Sequence, residues 1–280
     1  MQTHATIAAM RTACRAAKRE NKSLGFVPTM GALHEGHLSL MHAAKKECDV
    51  VAASIFVNPT QFGPNEDYSK YPRTLERDAA MLQQEGVDLL FTPTVDEMYP
   101  NGATTFVEVG SLGERLCGRF RPGHFRGVAT IVSKLFHIIE PDVAYFGQKD
   151  AAQCAVIKRM VRDLDMPVRI AVCPITREAD GLAMSSRNAY LTSVQRTQAL
   201  VLSRVLQRVQ ELFSHGDKDS AKLITAANSI FATEPAVHLE YVEIVDAGSL
   251  EPIQTTAKGT LVAVAAKVGG TRLIDNLLLS

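Results

Sequence analysis

The amino-acid sequence predicts a doubly wound α/β domain followed by a smaller α+β domain. Up to residue 173, apolar strand-like runs alternate with amphipathic helical segments, which is typical of a parallel sheet joined by right-handed crossovers. After Pro174 the order changes to helices followed by strand-like runs. We therefore predict two domains, residues 1–175 and residues 176–280.

Continuous apolar runs predict the strands of the first domain. Runs of this kind suit a parallel sheet with both faces covered by helices. We expect the first strand to stop at Pro28, because proline lacks the N–H group that a strand ladder needs. The predicted strands are residues 24–27, 50–57, 87–91, 104–109, 143–146 and 168–173.

Apolar residues at helical spacing predict the helices that cover this sheet. The predicted helices of the first domain are residues 5–20, a segment from residue 36 onward, 74–85, 128–139 and a segment that continues to residue 162. In the second domain a long polar turn at 176–191 precedes helices at 193–214 and 218–231 and strands at 238–245, 260–268 and 272–278.

Composition narrows the class of protein. Lys+Arg and Asp+Glu both count 30 in 280 residues, which gives no support to a nucleic-acid or anionic-membrane partner. The five cysteines form no CxxC pair, as expected for core residues in a reducing compartment. No apolar run reaches the length of a membrane span, and residues 1–20 lack a signal peptide's apolar centre. We expect a soluble, cytoplasmic protein.

Polar segments follow directly on the ends of three predicted strands. These segments are Thr29 to His37, Asn58 to Gln61 and Gly147 to Asp150. In doubly wound sheets ligands bind outside the carboxyl ends of the strands. The sequence therefore predicts a ligand site built from these three segments.

The first of these segments is typical of a phosphate site. Gly31 and Gly36 bracket a turn, and His37 lies in the first turn of the helix that follows. A helix start offers unpaired N–H groups and a positive dipole end, both of which favour phosphate. His34 and His37 are three residues apart, so they share one helix face if the helix begins early. The alternative interpretation is an ordinary strand–helix turn in which the histidines only cap the helix.

Three familiar motifs are excluded here. The glycine spacing matches a P-loop, but His37 and Leu38 stand where that motif needs Lys and Ser/Thr. No G-x-G-x-x-G dinucleotide fingerprint occurs, and His34 and His37 are one residue too close for the H-E-x-x-H zinc motif. What remains is an imidazole pair at a helix start.

The wider sequence resembles a known family. His34-x-Gly36-His37 resembles the HxGH signature of the nucleotidylyltransferase superfamily, which includes class I aminoacyl-tRNA synthetases. Met184-Ser185-Ser186-Arg187 looks like the KMSKS-type signature that lies downstream in that superfamily. Five stretches between residues 26 and 192 resemble the pantoate–β-alanine ligases: PTMGALHEGHLSL, FVNPTQFGPNEDYSKYPRT, RPGHFRGVATIVSKLF, YFGQKD and DGLAMSSRNAYL.

This resemblance implies an activity. It implies a Rossmann-like nucleotide- and pantoate-binding domain at 1–175 and a small domain at 176–280 that carries the KMSKS-like loop. The implied enzyme condenses (R)-pantoate with β-alanine through a pantoyl-adenylate intermediate, with ATP as substrate and with AMP and pyrophosphate as products. It also implies Mg²⁺ bound with ATP, mostly by phosphates and water, and a homodimer.

The resemblance also implies a set of site residues. His34, His37 and Lys149 would act on the ATP phosphates, and Gln61 and Gln153 would bind pantoate and β-alanine. The implied ATP-binding residues are Met30, Gly31, Ala32, Leu33, His34, Glu35, Gly36, His37, Gly147, Gln148, Lys149, Asp150, Thr176, Met184, Ser185, Ser186 and Arg187. No protein side chain is assigned as a metal ligand.

Three residues near these positions receive weaker assignments. Asn58 and Tyr71 are expected to support the substrate-binding residues. Asp78 is considered for a contact with Mg²⁺ but is expected to be a surface charge on its helix.

The basic, glycine-punctuated segment 114–126 is expected to be a mobile cover. Its Arg115 and Arg121 could reach phosphate. Cys117 stands where the resemblance leads us to expect an acidic residue, and we leave it outside the site.

Two other functions stay open at this point. One is a nucleotidylyltransferase that keeps the nucleotide on its product, as in cytidylyl transfer. The other is a catalytically silent nucleotide-binding or dimer-forming protein, although the histidines, Lys149 and the Ser-Ser-Arg positions are all intact.

Overall fold

The computed structural model describes all 280 residues, and the chain divides into two compact units. Unit 1 comprises Met1–Glu114, Arg121–Gly147 and Val156–Cys173, and unit 2 comprises Arg115–Phe120, Gln148–Ala155 and Pro174–Ser280. The domains expected from the sequence are continuous, whereas two short segments before residue 174 pack within unit 2. The predicted boundary at 175/176 stays a prediction.

The chain forms nine strands and ten helices. The strands are β1 (Gln2–His4), β2 (Leu24–Thr29), β3 (Val50–Ile55), β4 (Leu89–Phe91), β5 (Val143–Gly147), β6 (Arg169–Cys173), β7 (Val237–Val245), β8 (Leu261–Val268) and β9 (Thr271–Leu278). The helices are α1 (Ile7–Arg19), α2 (Glu35–Glu47), α3 (Leu75–Gln84), α4 (Val95–Met98), α5 (Cys117–Phe120), α6 (His124–Ile139), α7 (Ala151–Asp163), α8 (Ser193–Ala199), α9 (Val201–Ser214) and α10 (Ser220–Phe231). No helix is both long enough and apolar enough to cross a membrane.

Unit 1 is built on a six-stranded, wholly parallel sheet in the order β1-β4-β3-β2-β5-β6. This confirms the doubly wound α/β prediction. The chain runs outward from β2 through β3 to β4 and then returns to add β5 on the other side of β2. The strand order therefore reverses between β2 and β5, which is the position where such sheets bind ligands.

Both faces of this sheet are buried, as continuous apolar strands require. Val27 and Tyr145 pack with Met41 of α2 and Leu82 of α3 on one face. Residues of the opposite parity, such as Phe146, point to the other face, where Phe146 meets Phe136 of α6 at 6.4 Å between ring centroids.

Pro28 does not end its strand, contrary to the prediction. In β2 the carbonyl of Thr29 accepts from Phe56 on the β3 side, whereas the carbonyl of Leu24 accepts from Asp142 on the β5 side. Even-numbered residues therefore face β5, and the pairing of β2 with β5 stops at Phe26. The missing N–H of Pro28 lies where no ladder bond is formed.

Two further predictions about this unit were wrong. Residues 104–109 form no strand, because the backbone N–H of Val107 donates to the Thr130 hydroxyl (2.9 Å) on α6 and not to a neighbouring strand. Helix α6 begins at His124, four residues earlier than predicted. The short edge strand β1, which pairs with β4, was not predicted at all.

Unit 2 contains a three-stranded antiparallel sheet in the order β7-β8-β9, covered by α9 and α10. Its core joins Leu202 and Val209 of α9 to Val262 and Val264 of β8. This confirms the prediction of a small α+β arrangement near the C-terminus. The helix predicted at 193–214 is two helices, α8 and α9.

Gly127 is required by the packing of α6 in unit 1. A Cβ at this position would lie 2.4 Å from the carbonyl oxygen of Thr60 and 2.7 Å from the Cα of Gln61, both backbone atoms that cannot move aside cheaply. The α6 backbone therefore lies directly against the segment that carries Gln61.

We expect Gly127→Ala to lower the free energy of unfolding by about 1–3 kcal/mol, the usual cost of overpacking, although alanine is normally the better helix former. Urea denaturation of the variant measures this. Gly113→Ala is the matched control, since its new Cβ would meet only Phe125 at 3.6 Å. Equal stability of the two variants would contradict the packing argument.

Candidate active site

The turn after β2 is fixed by hydrogen bonds to its backbone. The Thr29 hydroxyl donates to the Ser54 carbonyl (2.7 Å) and accepts from the Gly31 N–H (3.2 Å). Gly31 and Ala32 both have positive φ, +81° and +52°. Glycine adopts this conformation freely, but alanine does so only when its surroundings compensate.

Asp78 supplies that compensation. Its carboxylate accepts the N–H groups of Ala32 (2.7 Å) and Leu33 (3.0 Å) and the hydroxyl of Thr74 (3.1 Å). The side chain is 0% exposed, so the expectation of a surface charge was wrong. Both carboxylate oxygens are used by the turn, which also argues against a contact with a metal ion.

The two histidines cap helix α2. His34 is the N-cap, and its Nδ1 accepts from the Gly36 N–H (3.1 Å). His37 is the third helical residue, and its Nδ1 accepts from the His34 N–H (3.4 Å). The two rings lie 4.1 Å apart between centroids. The two histidines thus lie on one face of the helix start, as predicted, and both cap the helix.

This capping decides which atoms remain for an anion. The N–H groups of Gly31, Ala32, Leu33, Gly36 and His37 all bond within the protein, so the expected supply of unpaired backbone donors is largely absent. Because each Nδ1 acts as an acceptor, the proton of each neutral ring is on Nε2. In this tautomer Nε2 carries the one N–H group of each ring.

Gln61 lies beside the same turn within unit 1. Its Nε2 donates to the Met30 sulfur (3.0 Å), and its Oε1 accepts from the Asn58 amide (3.1 Å). Asn58 is 1% exposed; its amide also donates to the Gly127 carbonyl, and its Oδ1 accepts from the Tyr99 hydroxyl. Asn58, whose side-chain nitrogen and oxygen are both hydrogen-bonded, therefore sets the orientation of the Gln61 amide. This is the supporting role predicted for Asn58.

Charged and polar side chains bind the backbone carbonyl of Gln61. The Gln61 carbonyl accepts from His124 Nδ1 (2.8 Å) and from Arg121 Nη2 (3.3 Å). Arg121 also forms a two-pronged ion pair with Glu66, with Nε donating to Oε1 at 2.8 Å. Burial raises the pKa of the Glu66 carboxyl, but the hydrogen bond and charge of Arg121 outweigh it and hold the pKa below its ordinary value.

The predicted cover segment 114–126 is not an irregular loop. It contains α5 and the first residues of α6. Arg121 is bound by Glu66 as described, and Arg115 donates to Glu251 (2.8 Å) and to the Ser249 carbonyl (3.0 Å). Both guanidinium groups expected to reach phosphate are thus bound to other groups of their own unit.

Cys117, on α5, lies in a polar cluster of unit 2. Its sulfur lies 3.3 Å from the Tyr241 hydroxyl and 3.7 Å from each terminal nitrogen of Arg272. Arg272 takes a stronger partner in Glu240, with Nε donating to Oε2 at 2.8 Å. The thiol therefore faces a partly buried guanidinium.

Lys149 and Asp150 belong to unit 2 and lie in a 3₁₀ turn directly after β5. Their side chains are 3.5 Å apart. Gln148 in the same turn donates to the side-chain oxygen of Asn276 (3.0 Å). Gln153 follows in the first turn of α7, one turn beyond Lys149 as predicted.

The segment before the KMSKS-like loop is a hairpin of unit 2 that is held by backbone pairing and by an ion pair. Arg177 pairs with Ala183 across it, and the Met184 N–H donates to the Thr176 carbonyl (3.0 Å). Arg177 also forms a two-pronged ion pair with Asp275, at 2.7 and 3.0 Å. Ser185 caps the 3₁₀ turn that follows by accepting from the Arg187 N–H (3.3 Å).

The structure thus forms two groups from the predicted site residues. Unit 1 brings together the Met30–His37 turn and Gln61. Gly147 also belongs to unit 1, at the end of β5. Unit 2 holds the remaining predicted residues, which are Gln148, Lys149, Asp150, Gln153, Thr176, Met184, Ser185, Ser186 and Arg187. The anchoring role of Asp78 was not predicted, and Arg177 and Asn276 were missed; for Asn276 the signal was an Asp-Asn pair between Leu273-Ile274 and Leu277-Leu278.

The protein offers no ready-made metal site. No group of three or more His, Cys, Asp or Glu side chains is arranged to hold an ion. Asp78 uses both oxygens on the turn.

Sheet order and site chemistry together define a class. A doubly wound sheet with an HxGH imidazole pair at the end of a central strand, in place of a P-loop, is the arrangement of a nucleotide-dependent transferase or ligase.

Comparison with known proteins identifies the family. The family model described as pantoate-beta-alanine ligase matches residues 2–278. The pantothenate synthetase of Koribacter versatilis is 60% identical over 279 residues, covering 100% of this chain and 96% of that protein. That of Acidobacterium capsulatum is 59% identical over 290 residues, covering 100% and 97%. This chain belongs to the pantoate-beta-alanine ligase family.

Solved structures agree with this assignment. The crystal structure of pantothenate synthetase from Thermus thermophilus superposes with a TM-score of 0.95 at 47% identity, covering 100% of this chain and 99% of that one. A pantoate-beta-alanine ligase from Francisella tularensis, crystallised in complex with beta-gamma ATP and beta-alanine, has a TM-score of 0.77 at 36% identity and covers 99% and 97%.

We expect Asp78→Asn to lower the free energy of unfolding by about 1–3 kcal/mol, because one acceptor oxygen becomes an amide that faces a backbone N–H. Glu76→Gln, an exposed change in the same helix turn, is the control. Hydrogen exchange at Ala32 and Leu33 should accelerate in the Asp78 variant alone. Unchanged protection of these two amides would contradict the anchoring role.

Glu66→Gln should destabilise the protein in a pH-dependent way. A carboxyl whose pKa is lower in the folded state stabilises the fold above its unfolded pKa of about 4.3 and loses that effect as the pH falls. We expect a deficit of about 1–2 kcal/mol at pH 7 that shrinks in acid. Unfolding curves of both proteins from pH 7 to pH 3 measure it, and a constant difference would exclude the ion pair as its source.

Proposed function

We propose that this member of the pantoate-beta-alanine ligase family joins (R)-pantoate to β-alanine at the expense of ATP. Pantothenate, AMP and pyrophosphate are the products, and pantoyl adenylate is the intermediate. The observation that carries the proposal is the pair of imidazoles at the end of β2 whose Nδ1 atoms accept backbone N–H groups, in a chain that matches this family over residues 2–278.

Two displacements make up the reaction. First, a pantoate carboxylate oxygen bonds to the α-phosphorus of ATP, and the bond from that phosphorus to the bridging oxygen breaks to release pyrophosphate. Second, the β-alanine nitrogen bonds to the acyl carbon, the carbon–oxygen bond to phosphate breaks, AMP leaves with the electron pair, and the nitrogen loses a proton. The first step calls mainly for stabilisation of phosphate charge, and the second for exclusion of water from the mixed anhydride.

In the proposal the unit 1 turn handles phosphate. His34 and His37 donate from Nε2 to phosphate oxygens as negative charge develops on the departing pyrophosphate. Their Nδ1 atoms are committed to α2, so the rings are held in position before the substrate binds. Such preorganised donors cost no rearrangement during the reaction.

Unit 2 would contribute the permanent positive charge. Lys149 binds a non-bridging phosphate oxygen, and Asp150 binds the ribose hydroxyls. Ser185, Ser186 and Arg187 donate to the leaving pyrophosphate. Gly147, Gln148, Thr176 and Met184 line the nucleotide with backbone and neighbouring atoms.

Gln61 and Gln153 are proposed to bind pantoate and β-alanine. A glutamine amide both donates and accepts, so it matches a substrate that carries a hydroxyl and a carboxylate. Gln61 supports this assignment because Asn58 and Met30 fix its amide group from one side. The β-alanine bound by the Francisella relative supports the amine substrate.

Three further properties belong to the proposal. Mg²⁺ enters with ATP and is held by phosphates and water, consistent with the lack of a clustered protein site. The enzyme acts as a homodimer, and it works in the cytoplasm.

An omission assay tests the reaction. AMP and pyrophosphate are measured with Mg-ATP, pantoate and β-alanine, each left out in turn. The proposal expects AMP only when all three are present, and pantoyl adenylate in a single turnover without β-alanine. A product that keeps the nucleotide would instead show nucleotidylyl transfer, and no turnover would show a silent binding protein.

Replacing one phosphate donor should slow adenylation strongly. We expect His37→Ala or Lys149→Ala to lower the single-turnover rate of adenylate formation by ~10²–10³, the scale of losing one charge-stabilising donor. The matched controls are the exposed His42→Ala on α2, the helix that carries His37, and the exposed Lys158→Ala on α7, the helix that follows the Lys149 turn. Near-normal adenylation in the two site variants would refute the assigned roles.

A further inference from the structure

Asn276 is a buried polar residue in the small sheet of unit 2. It is 2% exposed and lies on β9, where it pairs with Ala263 of β8. Most polar side chains at such positions are costly unless every hydrogen-bonding group is used. The hydrogen bonds of the Asn276 side chain therefore indicate its role.

The Asn276 side chain bonds three times to one short segment of unit 2. Its amide nitrogen donates to the Gln148 carbonyl (3.0 Å) and to the Lys149 carbonyl (2.9 Å). Its oxygen accepts from the Gln148 side-chain amide (3.0 Å). Both amide hydrogens are thus spent on two successive backbone carbonyls.

These two carbonyls flank a single Cα atom. The Gln148 carbonyl belongs to the peptide plane before the Lys149 Cα, and the Lys149 carbonyl belongs to the plane after it. Since peptide units are planar, holding both planes fixes the two backbone dihedrals of Lys149 and with them the direction of its Cα–Cβ bond. The Asn276 amide group therefore fixes the direction in which the Lys149 side chain leaves the backbone.

The strand beneath Asn276 is itself held firmly. The adjacent Asp275 binds Arg177 through two bonds and accepts the Asn276 N–H (2.8 Å). Asp275 is 3% exposed, so the carboxylate of this ion pair is shielded from water, although Arg177 is partly exposed. A donor on a paired strand is more exactly placed than one on a loop.

We infer that Asn276 is a positioning residue for Lys149, acting through the Gln148 and Lys149 carbonyls and not through contact with substrate. The inference rests on the proposed function, in which Lys149 binds a phosphate oxygen. A misplacement of the ammonium group by about 1 Å would be enough to slow adenylation by ~10²-fold.

The test is a double-mutant cycle. Asn276→Ala and Asn276→Asp are each made alone and in combination with Lys149→Ala, and single-turnover adenylate formation is measured with Mg-ATP and pantoate. Asn276→Asp keeps the shape but removes both donors. We expect each change to slow adenylation by ~10–10²-fold in the wild-type background and to add little when Lys149 is already alanine, since interacting residues are not additive.

A purely structural role for Asn276 predicts a different result. The rate would then fall by the same factor in both backgrounds, and that outcome would overturn the inference, as would a normal rate in the single variants. Thr271→Val, another buried polar residue of β9, is the control and should leave the rate unchanged. Should either variant fail to fold, Asn276→Ser, which keeps one donor, carries the cycle.

The same measurements separate this inference from the proposed function. A wild-type enzyme that forms no pantoyl adenylate would refute the function itself. A wild-type enzyme that does so, and that loses the activity with Lys149→Ala, leaves the function standing whatever the Asn276 cycle shows.

Discussion

The buried carboxylate of Asp78 holds the turn on which the unit 1 part of the site depends. It binds two consecutive N–H groups in a stretch where the backbone runs through positive φ at Gly31 and then at Ala32. Without a fixed acceptor this conformation would relax, since alanine enters it at an energetic cost. The start of α2 follows directly, so the placement of His34 and His37 depends on a residue that contacts neither of them in the bonds described.

The use of the backbone amides explains why this turn needs histidines. In a P-loop the amides of the turn face the phosphates. Here Asp78, Thr29 and His34 occupy most of them, which stiffens the turn but leaves few backbone donors for a ligand. In the proposed function the imidazole Nε2 atoms supply that donor capacity. Their Nδ1 atoms cap the helix.

In unit 2 the backbone around Lys149 is likewise held by a side chain, here from strand β9. Lys149 lies in a short 3₁₀ turn, where hydrogen bonding within the turn is weaker than in an α-helix. Asn276 provides bonds from a different part of the chain, and Arg177 with Asp275 fixes the hairpin that leads to Ser185. Both anchors are adjacent polar residues on β9.

The sequence by itself determined the local features: the alternation that gives the doubly wound sheet, most element positions, and the motif residues at strand ends. These follow from apolar periodicity and turn chemistry, which act over a few residues. Only the tertiary structure decided that strand β2 continues through Pro28 and that residues 104–109 form no strand. It also decided that Asp78 is buried and that the Lys149 carbonyl accepts a hydrogen bond from Asn276. In each case the deciding bond, or its absence, involves residues distant in sequence, such as Ala32 with Asp78 or Lys149 with Asn276. Periodicity carries no information about such pairs, because it records which face of an element is buried and not what it is buried against.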